Sequence, residues 1–371
     1  MRAIIAAAGT GGHINPGIAI ANKIKEKEPN SEIMFIGTER GLENDLVPRA
    51  GYELKTIDAH GIERKLTLQN IKNLYATYKS IGKSKEILKN FKPDVLIGTG
   101  GYICVPTILA AKKMKIPVVL HESNAFPGIA VKLFKNKADK ILVGFKEAKE
   151  RLNNEQNVVV TGNPTKMQKK LYSLEQKNKI LSELNLNSHK PIVLVYGGSQ
   201  GAQSINKSLL EIIVNKKNKN YQIIWSVGAG QYDEIKKELK DVNVEIDNIK
   251  DVKILPYIYN MEEIMNISDL MVCRSGAMTI TEISVIEKPA IFIPFPYATE
   301  NHQEYNARVL EKVGAAKIIL DKDLNSEILE NTIDEMICDK NKMEVMGKRA
   351  AEISIPNVED KIYREIKAVV K

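Results

Sequence analysis

The sequence predicts an α/β protein built from two Rossmann-like parallel-sheet domains. Three observations support this. The chain has 371 residues, a length that suggests two domains rather than one. Short apolar runs recur along it with helical stretches between them, the pattern of βαβ units whose sheets are covered on both faces. Each half also opens on an apolar run that enters a glycine turn and then a helix, at Arg2 and again at Pro191.

In chain order, the strand candidates of the first half are "RAIIAAAG", "EIMFIG", "DVLIGTGG", "PVVLHES", "KILVG" and "VVVTGNP". Those of the second half are "PIVLVYGGS", "YQIIWSVG", "VKILP", "DLMVC", "PAIFIPF" and "AKIIL". Proline breaks elements and favours a hinge, so the boundary is expected at Asn163–Pro164. The domains then cover 1–162 and 163–355. The tail "EDKIYREIKAVVK" reads as a last helix, about 356–371, crossing back to the first domain.

The composition, 43% hydrophobic and 27% charged, is that of an ordinary globular protein. No apolar run reaches the ~20 residues that span a bilayer. The opening "MRAIIAAAGTGGH" reads as a first strand rather than a signal peptide. Cys104, Cys273 and Cys338 are widely spaced, which argues against a disulfide framework or a zinc site and fits a reducing cytoplasm. The net charge of +8 is one-sided. Residues 1–162 hold 25 Lys and Arg against 16 Asp and Glu, while the remainder hold 29 against 30. A basic first half suits a polyanionic partner, nucleic acid or an anionic membrane, and suits solubility equally well.

Three glycine loops follow strands: "GTGGH" (Gly9 to His13), "GTGGY" (Gly98 to Tyr102) and "GGSQGA" (Gly197 to Ala202). Glycine lets a backbone approach a phosphate closely and take positive φ. After the first loop a helix is expected to start near Pro16, aiming its N-terminus at the site. Tested as GxGxxG, the first loop fails at Ile14, which disfavours a dinucleotide, and none of the three is a P-loop. A single glycine turn is unremarkable as a connector. Three at the C-terminal edges of sheets, where open α/β folds bind ligands, suggest two phosphate-bearing ligands.

Together with "GTGGHINPGIAIA" and "GTGGYICVP", the stretches "HESNAFPG", "TGNP", "YGGSQGAQSIN", "CRSGAMTITEI", "PFPYATENHQEYNA" and "GAAKII" resemble the MurG family, in that family's order from Gly9 to Ile319. The resemblance implies a GT-B fold, two Rossmann-like domains facing across a cleft, and inverting transfer of N-acetylglucosamine from UDP-N-acetylglucosamine to the 4-hydroxyl of lipid I, giving lipid II. It implies no metal or other cofactor and no nucleic acid, and a peripheral position on the cytoplasmic face of an anionic membrane. The N-terminal domain would take the acceptor and the C-terminal domain the nucleotide.

By motif, Gly11, Gly12, Gly100, Gly101 and Tyr102 would sit by the acceptor diphosphate, with Thr10, Gly11, Gly12 and His13 also near the donor. Asn124 and Gln303 would face the donor sugar, with His302 beside Gln303. Ser199 and Gln200 would face the diphosphate, and Ala277, Met278 and Thr279 the phosphates. Ile258 would meet the uracil through its backbone, and Glu282 the ribose hydroxyls. Two positions depart from the family pattern. Lys166 stands where arginine is common, losing bidentate geometry, and His302 stands where some members have glutamine.

Several of these residues carry a second reading. His13 suits a general base, since histidine titrates near neutral pH, and equally a phosphate ligand. Glu122 and His121 are rival bases or supports for Asn124. Glu282 closes the stretch "TITE", a capping-box pattern in which it would only cap a helix; the resemblance favours ribose. "DKD" at Asp321–Asp323 matches the DxD metal motif, but its place before "LNSEIL" suits an aspartate N-cap. Arg64 to Lys92 holds eight basic residues and one acid, Glu86. There Ile71, Leu74, Tyr75, Tyr78 and Ile81 follow helical spacing, with Lys65, Lys72, Lys79 and Lys83 flanking, as in a sheet-covering helix or a membrane-surface one. Two rival functions are a sugar-nucleotide epimerase, which needs no second phosphate site, and a nucleotide-sugar sensor or basic nucleic-acid binder, for which no RNA-binding signature is present.

Overall fold

The computed structural model describes residues 1–59, 68–153, 156–198 and 201–370. These divide into two compact units, Met1–Thr165 with Ile355–Lys371, and Lys166–Ser354.

In the first unit the strands are β1 (Arg2–Ala7), β2 (Glu32–Gly37), β3 (Glu53–Thr56), β4 (Val95–Gly100), β5 (Val118–Glu122), β6 (Lys140–Val143) and β7 (Val158–Val160). They form one sheet in the order β3-β2-β1-β4-β5-β6-β7, every pairing parallel. The central strands are buried along their length, which is why they read as unbroken apolar runs. The edge strand β3, "ELKT", alternates exposed and half-buried residues and is missing from the strands expected above. The helices between are α1 (Gly11–Lys27), α2 (Glu43–Arg49), α3 (Leu68–Phe91), α4 (Cys104–Lys113), α5 (Ile129–Phe134) and α6 (Lys146–Leu152).

The second unit repeats the plan. Its strands β8 (Ile192–Tyr196), β9 (Gln222–Ser226), β10 (Val252–Leu255), β11 (Leu270–Cys273), β12 (Ala290–Phe292) and β13 (Ala316–Ile318) form a parallel sheet in the order β10-β9-β8-β11-β12-β13. Its helices are α7 (Leu174–Glu183), α8 (Gln203–Val214), α9 (Tyr232–Asp241), α10 (Met261–Ile267), α11 (Ala277–Val285), α12 (His302–Lys312), α13 (Ser326–Ile337) and α14 (Lys340–Glu352). The last helix, α15 (Val358–Lys367), belongs to the first unit. Val358, Ile362 and Ile366 recur at four-residue spacing and enter the core beside Ala3 and Ile5 of β1. Glu28 accepts bonds from Lys367 Nζ at 2.7 Å and Tyr363 Oη at 2.8 Å, and Asp360 pairs with Lys23 and Lys27 of α1.

Two local expectations are corrected. The helix after the first glycine loop begins at Gly11, not near Pro16. Proline at the sixth helical position leaves only the carbonyl of Gly12 without its N–H partner, and Gly12 is exposed to water. The "TITE" stretch is not a capping box. Helix α11 begins at Ala277 with Gly276 as N-cap, so Glu282 lies in its second turn.

Candidate active site

Both sheets reverse direction once. The chain steps outward from β1 to β3 and returns to lay β4 beside β1; it steps from β8 to β10 and returns to lay β11 beside β8. Where the strand order reverses, the two following loops diverge and open a crevice at the carboxyl edge. All three glycine loops, and "RSGAMT" after β11, stand at these points. The helices they feed share an N-terminal feature that the short α5 also has. Helices α1, α4, α8 and α11 start with neither a side-chain cap nor an acid in the first turn. By contrast Ser173, Asn325 and Asp339 cap α7, α13 and α14, and α6, α9, α10, α12 and α15 carry acids in their first turns. Helix N-termini left positive in this way suit anions.

In the first unit the two glycine loops are knitted around His13. Its Nδ1 lies 3.0 Å from the carbonyl of Ala8, which only accepts, so Nδ1 carries the proton and Nε2 keeps a lone pair. Thr99 Oγ1 donates to the His13 carbonyl at 2.8 Å. A Cβ at Gly100 would come 2.3 Å from His13 Cδ2, and one at Gly101 would come 2.5 Å from the Ala8 carbonyl oxygen; both glycines also have positive φ. The "GTGGY" loop therefore needs glycine to seat the imidazole. Burial holds the His13 pKa below its usual value, against the opposing Ala8 hydrogen bond and Glu43 charge, so the ring is neutral at pH 7. Thr10 and Gly12 are exposed, as is Tyr102.

The "HESN" residues end β5. His121 is 1% exposed, with Nε2 facing the Gly162 carbonyl and Nδ1 facing Ser123 Oγ; burial pushes its pKa down to about 4. It sits in the core of the first unit. Glu122 is also buried. Its Oε1 accepts from the Asn124 backbone at 2.9 Å and side chain at 3.1 Å, and Oε2 from Gly128 N at 2.6 Å. Both oxygens are engaged in holding the loop that carries Asn124, which makes Glu122 its support.

In the second unit, Gln303 Oε1 accepts from the backbone N–H of Phe295 at 3.0 Å and of Ser275 at 3.3 Å, which turns its amide NH₂ away from those loops. His302 donates through Nδ1 to the Thr299 carbonyl at 2.7 Å. Ile258 buries its side chain between the exposed Tyr257 and Tyr259. Among the described residues nothing hydrogen-bonds the Glu282 carboxyl, and burial raises its pKa to about 7. Ala277, Met278 and Thr279 form the uncapped first turn of α11. Lys166 is exposed at the start of the unit. Ser199 and Gln200 lie outside the described residues.

Residues 192–362 match the glycosyltransferase family 28 C-terminal domain, and residues 3–143 the N-terminal domain. The chain is 42% identical to a UDP-N-acetylglucosamine--N-acetylmuramyl-(pentapeptide) pyrophosphoryl-undecaprenol N-acetylglucosamine transferase of Acetivibrio thermocellus, over 100% of this chain and 99% of that protein. A protein of the same name from Bacillus pumilus is 39% identical, again over 100% of this chain and 99% of that one. The chain belongs to the MurG family. The crystal structure of MurG from Acinetobacter baumannii has the same GT-B fold, with a TM-score of 0.78 at 24% identity over 99% of both chains. A UDP-GlcNAc 2-epimerase from Neisseria meningitidis shares the fold, with a TM-score of 0.66 at 16% identity over 99% of this chain and 100% of that one.

For a MurG-family chain the "DKD" stretch has a plain structural role. Asp321 Oδ1 accepts from Arg274 Nη1 at 2.5 Å and Ser204 Oγ at 2.6 Å. Arg274 also donates to the carbonyls of Ile293 and Pro294, bracing the ends of β11 and β12. The N-cap of α13 is Asn325, not an aspartate of this stretch. Two residues take no role from the sequence: Arg274, which lies inside the "CRSGAMTITEI" stretch, and Glu43, which lies outside every family stretch. Glu43 is fully buried and accepts from Gly9 N at 2.9 Å, and nothing in one sequence distinguishes it from the surface acids around it.

Proposed function

We propose that this protein transfers N-acetylglucosamine from UDP-N-acetylglucosamine to the 4-hydroxyl of lipid I, giving lipid II. The observation that carries the reading is full-length similarity to transferases of that name, joined to glycine loops and uncapped helix N-termini at both switch points. A new bond forms between the acceptor oxygen and the anomeric carbon. The bond to the UDP oxygen breaks with inversion, and the β-phosphate keeps the electron pair. The acceptor proton passes to His13 Nε2, the ring nitrogen that the Ala8 carbonyl leaves unprotonated.

Gly11, Gly12 and the first turn of α1 receive the acceptor diphosphate, with Gly100, Gly101 and Tyr102 beside them. Thr10 and Asn124 approach the donor. Ser199, Gln200, Ala277, Met278 and Thr279 receive the UDP phosphates, with Lys166 adding charge. Ile258 meets the uracil, Glu282 the ribose, and Gln303 with His302 the sugar. Helix dipoles and loop amides stabilise the leaving diphosphate, so the transfer needs no metal ion.

The protein acts at the cytoplasmic face of an anionic membrane and binds no nucleic acid. No helix among the described residues is long and apolar enough to cross a membrane. In the described part of α3, Ile81 packs on the core while Tyr78 is 72% exposed beside the exposed Lys79 and Lys83, which supports a surface contact. Arg64, Lys65 and the side chains of Ile71, Lys72, Leu74 and Tyr75 lie outside the described residues. The test is UDP release in excess EDTA with and without a short-chain lipid I analogue. Release that needs the acceptor and survives EDTA supports the reading. Conversion of the donor alone to its 2-epimer overturns it.

A further inference from the structure

Glu43 stands at the first position of α2, and its side chain is fully buried. Oε1 accepts from Thr38 N at 2.9 Å and Thr38 Oγ1 at 2.6 Å, and Oε2 accepts from Gly9 N at 2.9 Å. The side chain fills space that two glycines leave open. A Cβ at Gly37 would come 2.6 Å from Glu43 Cγ, and one at Gly41 1.9 Å from Oε2. Burial alone raises the pKa of this carboxyl, yet the bonds from Thr38 and Gly9 outweigh it and hold the group ionised. Among the described residues no cation pairs with it. A buried carboxylate held only by neutral donors carries a desolvation cost that packing alone does not return.

The carboxylate grips Gly9, at φ +95°, one residue before the N-cap of α1 and four before His13. Leu42 N also reaches the Gly9 carbonyl at 3.4 Å, so the N–H and the C=O of Gly9 are both tied to the start of α2. Among the described residues, the Glu43 carboxylate is the charge that favours protonation of the His13 imidazole. Among the described residues, the other contacts on His13 come from Ala8 after β1, through its carbonyl, and from Thr99 and Gly100 at the end of β4, none of them charged.

From this geometry we infer that Glu43 is a positioning residue for the transfer: it fixes the Gly9–His13 loop and supplies the fixed negative charge that favours protonation of His13. The inference rests on the reading of His13 as the base. When Nε2 takes the acceptor proton the imidazole becomes a cation, and an opposite charge already in place stabilises that cation with no reorganisation.

The test is the titration of His13, followed by NMR on histidine-labelled protein in wild type and Glu43→Gln, together with the pH profile of kcat/KM. The glutamine variant is expected to lower the His13 pKa, since it removes a charge that favours the imidazolium. It should move the acidic limb of the profile down with it and leave UDP affinity unchanged. If Glu43→Gln does not fold, Glu43→Asp draws the charge back by one methylene, and the same shift is expected in smaller size. A folded variant whose His13 titration is unmoved overturns the inference, whatever its kcat. His13→Ala separates the two readings. Survival of the acidic limb there removes His13 as base, while the NMR shift still reports on Glu43.

Discussion

At the residue scale the proposed chemistry depends on one imidazole and one carboxyl. The Ala8 carbonyl fixes the His13 tautomer and burial lowers its pKa, which leaves Nε2 with a lone pair open to a proton. His13→Ala should lower kcat roughly 10²–10⁴-fold. UDP affinity measured by calorimetry should be near normal, because the nucleotide is assigned to the other unit. A near-normal kcat with a raised acceptor KM would leave His13 as a phosphate ligand. Glu282 gives a pH prediction. Burial raises its pKa to about 7, and two ribose hydroxyls favour the carboxylate over the acid. The complex therefore lowers that pKa, and binding releases a proton below pH 7. UDP should bind more tightly as pH rises from 6 to 8, and Glu282→Gln should flatten the dependence. Calorimetry showing the same slope in both proteins would remove Glu282 from the ribose.

At the element scale the glycines separate two demands that look identical in the sequence. Gly100 is needed by the fold, since a Cβ there collides with His13. Gly12 is not, since a Cβ there meets only Thr10 Oγ1 at an ordinary 3.6 Å. Alanine inside a helix is favoured over glycine by roughly 0.5–1 kcal/mol. Gly12→Ala should therefore keep or raise the Tm and still raise the acceptor KM, because the added methyl stands where a diphosphate must approach. Gly100→Ala should lower kcat by displacing the imidazole. A Gly12→Ala enzyme with unchanged kinetics would remove that turn from the acceptor site.

The same contrast explains what could be read in advance. Buried parallel strands advertise themselves, and the expected runs include all but one of the strands. The edge strand β3 faces water on alternate residues, and "ELKT" has no apolar run to find. Loop glycines mark where a ligand edge lies, but not which glycine serves the backbone and which the ligand. The helix start at Gly11 was obscured by Pro16, which suits a first turn as well as the position it occupies. Glu43 and Arg274 act through contacts 34 and 47 residues away in the chain, to Gly9 and Asp321, beyond any local pattern.

At the scale of the whole molecule, one architecture occurs twice, and a single helix, α15, ties the end of the chain to the unit that begins it. The charge division follows the same line, the excess of cations lying in the first 162 residues. Each lysine near an anionic surface contributes about 1 kcal/mol. Charge reversal at Lys79 and Lys83 together should reduce co-sedimentation with anionic liposomes at low salt, with transfer to a water-soluble acceptor analogue unaffected. Normal liposome binding would leave α3 as a sheet cover alone.

The central claim, inverting transfer to the 4-hydroxyl of lipid I, is tested most directly by the product itself. Purified protein, UDP-N-acetylglucosamine and a short-chain lipid I analogue are incubated, and the disaccharide is analysed by NMR. The expected product is N-acetylglucosamine joined to O4 of the muramyl residue through a β bond, with the large anomeric coupling of a trans-diaxial pair. An α linkage, attachment at another oxygen, or no disaccharide from a folded, UDP-binding protein would contradict it.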